Sequence, residues 1–148
     1  MCIGIRVTRD KPSPSDIVKR EAFHYDEATG ILTIDFTKTN IPFRKVPKLW
    51  IPPIPDTDSM DPVFDYGHNN LLLSGQDAED HQRLVEFMAG HPGNIAVYQP
   101  QNIIHRVVEI GEDSQGRFFK FRGDNNVRGD PYKIRDANIS HLYAGSIP

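Results

Sequence analysis

A proline-rich stretch between residues 41 and 55 constrains this sequence more than any other feature. Each proline lacks a backbone N–H and restricts the residue before it, so the stretch cannot be a helix or a central strand. We predict an extended arm or an edge strand, anchored to the core by Trp50, the single tryptophan. The five prolines are Pro42, Pro47, Pro52, Pro53 and Pro55.

Short strands dominate the rest of the predicted secondary structure. Apolar or alternating runs separated by Gly, Asn and Asp are typical of strands and hairpins. One hairpin is predicted around a loop that ends at Gly30, and a second around residues 111–116. The predicted strands are residues 22–25, 31–36, 70–73, 95–98, 105–110 and 117–122, with short closing segments at 132–134 and 141–143.

One helix is predicted, over residues 77–89. Asp77 is placed to cap its first turn, and Gly90 to end it. Leu84, Val85 and Met88 fall on one face at helical spacing, which gives the helix an apolar side for the core.

Length and charge exclude several classes of protein. The 148 residues suit one domain with a core, in which residues 1–55 form an N-terminal hairpin and proline-rich arm and residues 56–148 form the main body. The net charge of −3 gives no reason to expect a nucleic-acid partner. No apolar run approaches the roughly 20 residues that span a bilayer, so we expect no membrane anchor and a soluble, cytoplasmic protein.

Cysteine and histidine usage argues against a metal site. The single cysteine, Cys2, excludes an internal disulfide and a Cys-based zinc site. None of the six histidines forms a pair at metal-ligand spacing, so we expect neither a metal nor an organic cofactor.

Three polar residues after the proline-rich arm could act together. A serine hydroxyl is a poor nucleophile unless a base lies within hydrogen-bond reach and a third group orients that base. Ser59 could be the nucleophile and His105 the base, with Asp124 or Asp130 as the carboxylate. Each has an ordinary alternative: a turn serine, a packed histidine and turn carboxylates in an Asn- and Gly-rich loop.

The motifs that contain these residues resemble the type I signal peptidase family, in its archaeal and endoplasmic-reticulum branch. That branch has a Ser-Met-x-Pro motif, a His-Arg-Val motif with histidine where the bacterial branch has lysine, and a Gly-Asp-Asn-Asn motif followed by another aspartate. The resemblance covers residues 56 to about 145. The corresponding residues here are Ser59-Met60-Asp61-Pro62, Ile104-His105-Arg106-Val107 and Gly123-Asp124-Asn125-Asn126 with Asp130.

The resemblance implies a role for each of these residues. Ser59 is the implied nucleophile, His105 the general base and Asp130 the group that orients it, with Asp124 close by. Thr57 is expected to donate its hydroxyl to the oxyanion hole, and Met60 is placed with it at the oxyanion and substrate-binding region. The implied substrate is a polypeptide bound as an extended strand, with small residues beside the scissile bond.

The resemblance also implies a fold and a function, with departures. The expected fold is mostly β, with signal-peptidase/LexA-like antiparallel coiled β-sheets and one helix; the histidine argues against the LexA branch itself. The expected function is a soluble serine endopeptidase. Because no membrane anchor is visible and residues 1–55 lie outside the resemblance, the alternative is a non-catalytic binding or assembly protein, phage or mobile-element encoded, that reuses the fold. The sequence leaves the substrate and the oligomeric state open.

Overall fold

The computed structural model describes residues 23–35, 43–53, 59–60, 69–91 and 93–147. Within these ranges the protein is mostly β: a two-stranded sheet, a six-stranded antiparallel sheet, one α-helix and a short 3-10 helix, Asp136–Asn138. The expected mostly β fold with one helix is therefore confirmed.

The two-stranded sheet is the predicted N-terminal hairpin. Strand β1 (Phe23–Asp26) pairs antiparallel with β2 (Ile31–Ile34). The turn between them needs a left-handed residue at its end, and Gly30 supplies it with φ +72°. The Gly30 N–H donates to the Asp26 carbonyl at 2.7 Å, which closes the turn.

The six-stranded sheet has the strand order β3-β4-β8-β5-β6-β7, and all its neighbours are antiparallel. Because β8 returns between β4 and β5, the C-terminal segment joins the two halves of the sheet. The strands are β3 (Lys48–Trp50), β4 (Asn69–Ser74), β5 (Ile95–Tyr98), β6 (Ile103–Asp113), β7 (Gly116–Arg122) and β8 (Ile139–Ile147).

Two apolar clusters cover the two faces of this sheet. Strand β5 is buried along its whole length, so its alternate side chains enter different clusters. The first cluster packs Ala96 and Tyr98 against helix α1 (Ala78–Gly90), and the second contains Ile95 and Val97. The first cluster also holds Leu84, Val85, Met88, Phe119 and Phe121, and the second holds Met60, Leu72 and Tyr143.

The proline-rich stretch supplies an edge strand, as predicted, but Trp50 does not anchor it. Trp50 is 43% exposed, and its ring contacts His141 with the ring centroids 5.2 Å apart. The anchor is Asp80 in the first turn of α1, whose carboxylate accepts the backbone N–H groups of Arg44 and Lys45 at 2.9 and 3.1 Å. Asp80 is fully buried, and a carboxylate is stabilised at a helix N-terminus.

The β6–β7 hairpin is longer than predicted. Its strands run to Asp113 and from Gly116, so two residues form the turn instead of six. Gly111 is part of the strand and pairs with Phe118, whose ring covers it: a Cβ at position 111 would lie 2.6 Å from that ring. Strand β8 is likewise longer than the predicted segment at 141–143.

Candidate active site

His105 lies near the start of β6, opposite Ala96 of β5, and is 7% exposed. Its ring has a partner at each nitrogen. Nε2 lies 3.1 Å from the Ser59 hydroxyl, and Nδ1 lies 2.7 Å from Oδ2 of Asp130. If Nδ1 carries the proton and donates it to the carboxylate, Nε2 is left as an acceptor for the serine O–H.

Ser59 occupies a turn that is fastened to the Gly123–Asn126 turn. The Ser59 carbonyl accepts the Asn125 N–H at 2.9 Å. The next residue, Met60, is 2% exposed and inserts into the second cluster, where its sulfur accepts the Asp124 N–H at 3.3 Å. Backbone and side-chain bonds between the two turns thus hold Ser59 beside His105.

Gly123 allows the two turns to come this close. A Cβ at position 123 would lie 2.5 Å from the Ser59 carbonyl oxygen and 2.9 Å from Nε2 of His105. Both distances are shorter than a side chain tolerates, so any residue other than glycine would push Ser59 and His105 apart.

Asp130 is fixed from three directions. Its backbone N–H donates to the Phe121 carbonyl at 2.8 Å. Its Oδ2 accepts from His105 and also from the Tyr98 hydroxyl, at 2.5 Å. The side chain is 10% exposed, so the carboxylate lies in a nearly closed space with its two donors.

Asp124 has a different partner. Nε and one terminal nitrogen of Arg106 donate to its two oxygens, each at 2.8 Å, and the other terminal nitrogen donates to the Gly93 carbonyl. The Asp124 side chain is 3% exposed and that of Arg106 is 12% exposed. This buried ion pair ties the Gly123–Asn126 turn to β6 and to the loop before β5.

The structure therefore brings together three of the predicted site residues: Ser59, His105 and Asp130. It places Asp124 in the ion pair with Arg106. Met60 faces the core, a position that suits an anchor of the Ser59 turn better than contact with substrate. Thr57, the predicted oxyanion donor, lies outside the described residues.

Sequence reasoning missed Tyr98. Burial and then the hydrogen bond to Asp130 raise the pKa of this phenol well above its ordinary value. Because buried phenols need a hydrogen-bond partner, a tyrosine that ends a fully apolar strand is a signal that could have been used. Gly123 and Arg106 were noticed only as members of motifs.

An apolar groove of about 220 Å³ opens on the face of the sheet that carries the second cluster. Ile104, the residue before His105, is part of its lining. The groove is smaller than the roughly 300–1,000 Å³ of pockets for drug-sized ligands, which suits one side chain better than a cofactor. The lining residues are Trp50, Pro52, Pro53, Asn70, Leu72, Val97, Asn102 and Ile104.

Two kinds of feature are absent from the described residues. No three His, Cys, Asp or Glu side chains within those ranges come together as ligands for a metal ion. In the same part of the chain, no helix has the length and apolar character needed to cross a membrane. The absence of a cofactor and the cytoplasmic location stay predictions.

Among curated proteins, the chain is similar to Signal peptidase I W of Bacillus subtilis (strain 168), with 32% identity over 89 residues. The match covers 59% of this chain and 43% of that protein, so the chain matches less than half of its length. No family model matches the chain. No solved structure matches it either. The similarity supports a signal-peptidase-like family and says nothing of the archaeal and endoplasmic-reticulum branch.

Proposed function

We propose that this chain is a serine endopeptidase in which Ser59 is the nucleophile, His105 the general base and Asp130 the orienting carboxylate. One observation carries the proposal: the two ring nitrogens of His105 lie 3.1 Å from the Ser59 hydroxyl and 2.7 Å from Asp130. Both distances fall within the about 2.6–3.2 Å that proton transfer between catalytic groups requires.

In the proposed reaction, the Ser59 oxygen attacks the carbonyl carbon of a peptide bond while Nε2 of His105 takes the hydroxyl proton. Asp130 stabilises the imidazolium that forms. The imidazolium then gives its proton to the leaving amine, which leaves an ester on Ser59. A water molecule deprotonated by His105 hydrolyses the ester and restores the enzyme. The Ser59 N–H and the Thr57 hydroxyl are the proposed donors to the oxyanion.

The register of β6 supports an extended peptide as the substrate. Residues 103–105 pair with β5 on one side, and the pairing with β7 begins at Arg106 on the other. Within the described residues, no strand pairs with Ile103 and Ile104 on the β7 side, while the turn that starts at Gly123 lies beside His105. An extended segment that adds there as a strand brings its backbone next to Ser59. We propose small side chains beside the scissile bond.

Because the proposed base is a histidine, we propose that the chain belongs to the archaeal and endoplasmic-reticulum branch of the signal-peptidase-like family. Support comes from the His105 contacts and from the partial similarity to a signal peptidase. A lysine side chain has a single nitrogen, so it could not contact Ser59 and Asp130 through two separate atoms as the His105 ring does.

A covalent trap coupled to peptide cleavage tests the proposal. A peptidyl phosphonate with a small residue at its reactive end should add once to the protein, at Ser59, as seen by intact mass and peptide mapping. Ser59→Ala should neither label nor cleave a library of quenched peptides with small residues at varied positions. Ser114→Ala, in the turn of the β6–β7 hairpin, is the matched control and should behave as the wild type.

The contrary outcome is also well defined. If the wild-type protein neither labels nor cleaves any peptide of the library, the endopeptidase proposal fails. Peptide binding without cleavage would then favour the non-catalytic binding protein that reuses this fold.

A further inference from the structure

One oxygen of Asp130 accepts two hydrogen bonds from opposite partners. His105 donates from Nδ1 at 2.7 Å, and Tyr98 donates from its hydroxyl at 2.5 Å. With the contact between His105 and Ser59, four side chains form one continuous chain of hydrogen bonds: Tyr98, Asp130, His105 and Ser59.

The sheet register explains why Tyr98 and His105 reach the same atom. Tyr98 pairs with Ile103 and Ala96 pairs with His105, so Tyr98 and His105 are diagonal neighbours on one face of adjacent strands. Asp130 comes from the loop after β7 and lies between them, held by its own N–H on Phe121. Tyr98 is held too: it is fully buried and packs on the Phe121 ring with the ring centroids 4.8 Å apart.

We propose that Tyr98 is a positioning residue for His105 that acts through Asp130. Its O–H fixes the rotation of the Asp130 carboxylate, so that Oδ2 stays directed at Nδ1 of His105. The same hydrogen bond partly neutralises the negative charge of Oδ2 that faces the imidazole. This inference rests on the proposed function for its catalytic consequence, but the hydrogen bonds themselves can be tested without a substrate.

The charge effect has a definite sign. A donor to a carboxylate stabilises its negative charge, and the imidazolium beside it is then stabilised less. Removing the Tyr98 hydroxyl should therefore leave more negative charge on Oδ2, the atom that the His105 N–H meets. In the described residues, the titratable groups that contact Tyr98 or Asp130 are His105 and Tyr132, while Arg106 is paired with Asp124.

The test compares Tyr98→Phe with Tyr132→Phe. The Tyr132 ring contacts the Tyr98 ring edge-on, with the ring centroids 6.4 Å apart, and Tyr132 is 39% exposed. Tyr132→Phe therefore also removes a phenol oxygen next to Tyr98, but not the one that contacts Asp130. The first readout is the Nδ1 proton resonance of His105 by NMR, assigned with His105→Gln. In Tyr98→Phe this resonance should shift, because Oδ2 of Asp130 has lost its second donor; in Tyr132→Phe it should not shift.

The second readout is the pH profile of kcat/KM. The acidic limb of the profile should move in Tyr98→Phe and stay in place in Tyr132→Phe. In Tyr98→Phe, kcat should fall by about tenfold or more at unchanged KM, since a loosened base costs turnover and not binding. A merely structural tyrosine would lower the melting temperature and leave both the Nδ1 resonance and the profile unchanged.

The possible failures are distinguishable. An unchanged Nδ1 resonance of His105 in Tyr98→Phe overturns this inference even if the wild type is an active peptidase. If the resonance shifts in Tyr98→Phe but the wild type cleaves nothing, the positioning role is upheld and the proposed function fails. If Tyr98→Phe does not fold, 3-fluorotyrosine at position 98 keeps the test open: its stronger donor must shift the Nδ1 resonance, and an unchanged resonance refutes the inference.

Discussion

Arg106 and Asp124 form a bidentate ion pair, with two N···O distances of 2.8 Å, at the strand position next to His105. Because Arg106 occupies both oxygens of Asp124, Asp130 is the carboxylate that reaches His105. The two acidic residues of one loop thus have separate tasks: one braces the turn that holds Ser59, and the other contacts the imidazole.

Asp130→Asn should lower turnover while the protein stays folded. An asparagine at this position can hold His105 in the wrong tautomer, which removes the acceptor for the Ser59 proton. The loss should be about 10⁴-fold in kcat, by comparison with the corresponding change in chymotrypsin-type enzymes. Peptide cleavage measures the loss, and circular dichroism melting shows whether the fold persists. A variant with wild-type turnover would remove Asp130 from the proposed mechanism.

Asp124→Asn should act chiefly on stability. It leaves the buried Arg106 charge without its counter-ion, and breaking a buried pair in this way costs about 3–5 kcal/mol. For a domain of this size the melting temperature should fall on the order of 10 °C. Arg106→Met removes the other partner, and its melting temperature should fall by a similar amount. Full stability with lost turnover in Asp124→Asn would mean that the roles of the two aspartates are reversed.

Gly123→Ala should separate Ser59 from His105. The added Cβ would meet the Ser59 carbonyl oxygen at 2.5 Å, and a displacement of about 1 Å at a catalytic contact costs roughly 10²-fold in rate. Gly129→Ala is the matched control in the same loop, because its Cβ would meet the nearest atom, the Phe121 carbonyl oxygen, at an ordinary 3.6 Å. Turnover and phosphonate labelling measure the effect, and equal activity in the two variants would contradict the packing argument.

Sequence patterns predicted the parts of the fold that local chemistry determines. Strand β5 was predicted at its observed bounds because its four residues form an apolar run, and the structure buries all four. Helix α1 is predicted with its cap, and Asp77 does accept the Asp80 N–H. The length of β6 was missed because Gly111 in an acidic segment is typical of a turn, whereas here it pairs with Phe118 across the hairpin and lies under the Phe118 ring.

The candidate site divides in the same way. Motif resemblance picked out Ser59, His105 and Asp130, which the fold brings together from separate segments. Tyr98 lies 32 residues before Asp130, and nothing in the local sequence joins the two. The burial predicted for Trp50 was wrong because a tryptophan on an edge strand packs on one face only, here against His141.

The Trp50–His141 contact predicts a pH-dependent fluorescence signal from the single tryptophan. A protonated imidazole quenches indole emission, and burial lowers the pKa of His141 below its ordinary 6.5. Emission should therefore fall as the pH decreases, with a midpoint below 6.5. Stability should change in the same direction: the half-buried ring, neutral in the folded protein, contributes fully above pH 6.5, and the contribution is lost as the pH falls through the lowered pKa. His141→Gln should abolish the transition, and a midpoint above 6.5 would contradict this environment.

Asp113, at the end of β6, predicts a loss of stability at acidic pH. Arg135 donates to both of its oxygens at 2.9 and 2.8 Å, and Lys133 donates at 3.1 Å. The hydrogen bonds from Arg135 and then from the Gln115 N–H hold the pKa of Asp113 well below its usual range. The contribution of Asp113 is therefore present above its unfolded pKa of about 4 and is lost as the pH falls below that value.

Urea unfolding of Asp113→Asn and the wild type, at several pH values between about 7 and 2, measures this contribution. The variant should be the less stable protein near neutral pH, and the difference should narrow steadily below about pH 4, as the wild-type carboxylate loses its charge. Glu112→Gln, a neighbouring carboxylate outside this cluster, should show no such convergence. A difference that stays constant down to pH 2 would mean that Asp113 stabilises the hairpin by shape and neutral hydrogen bonds instead of by its charge.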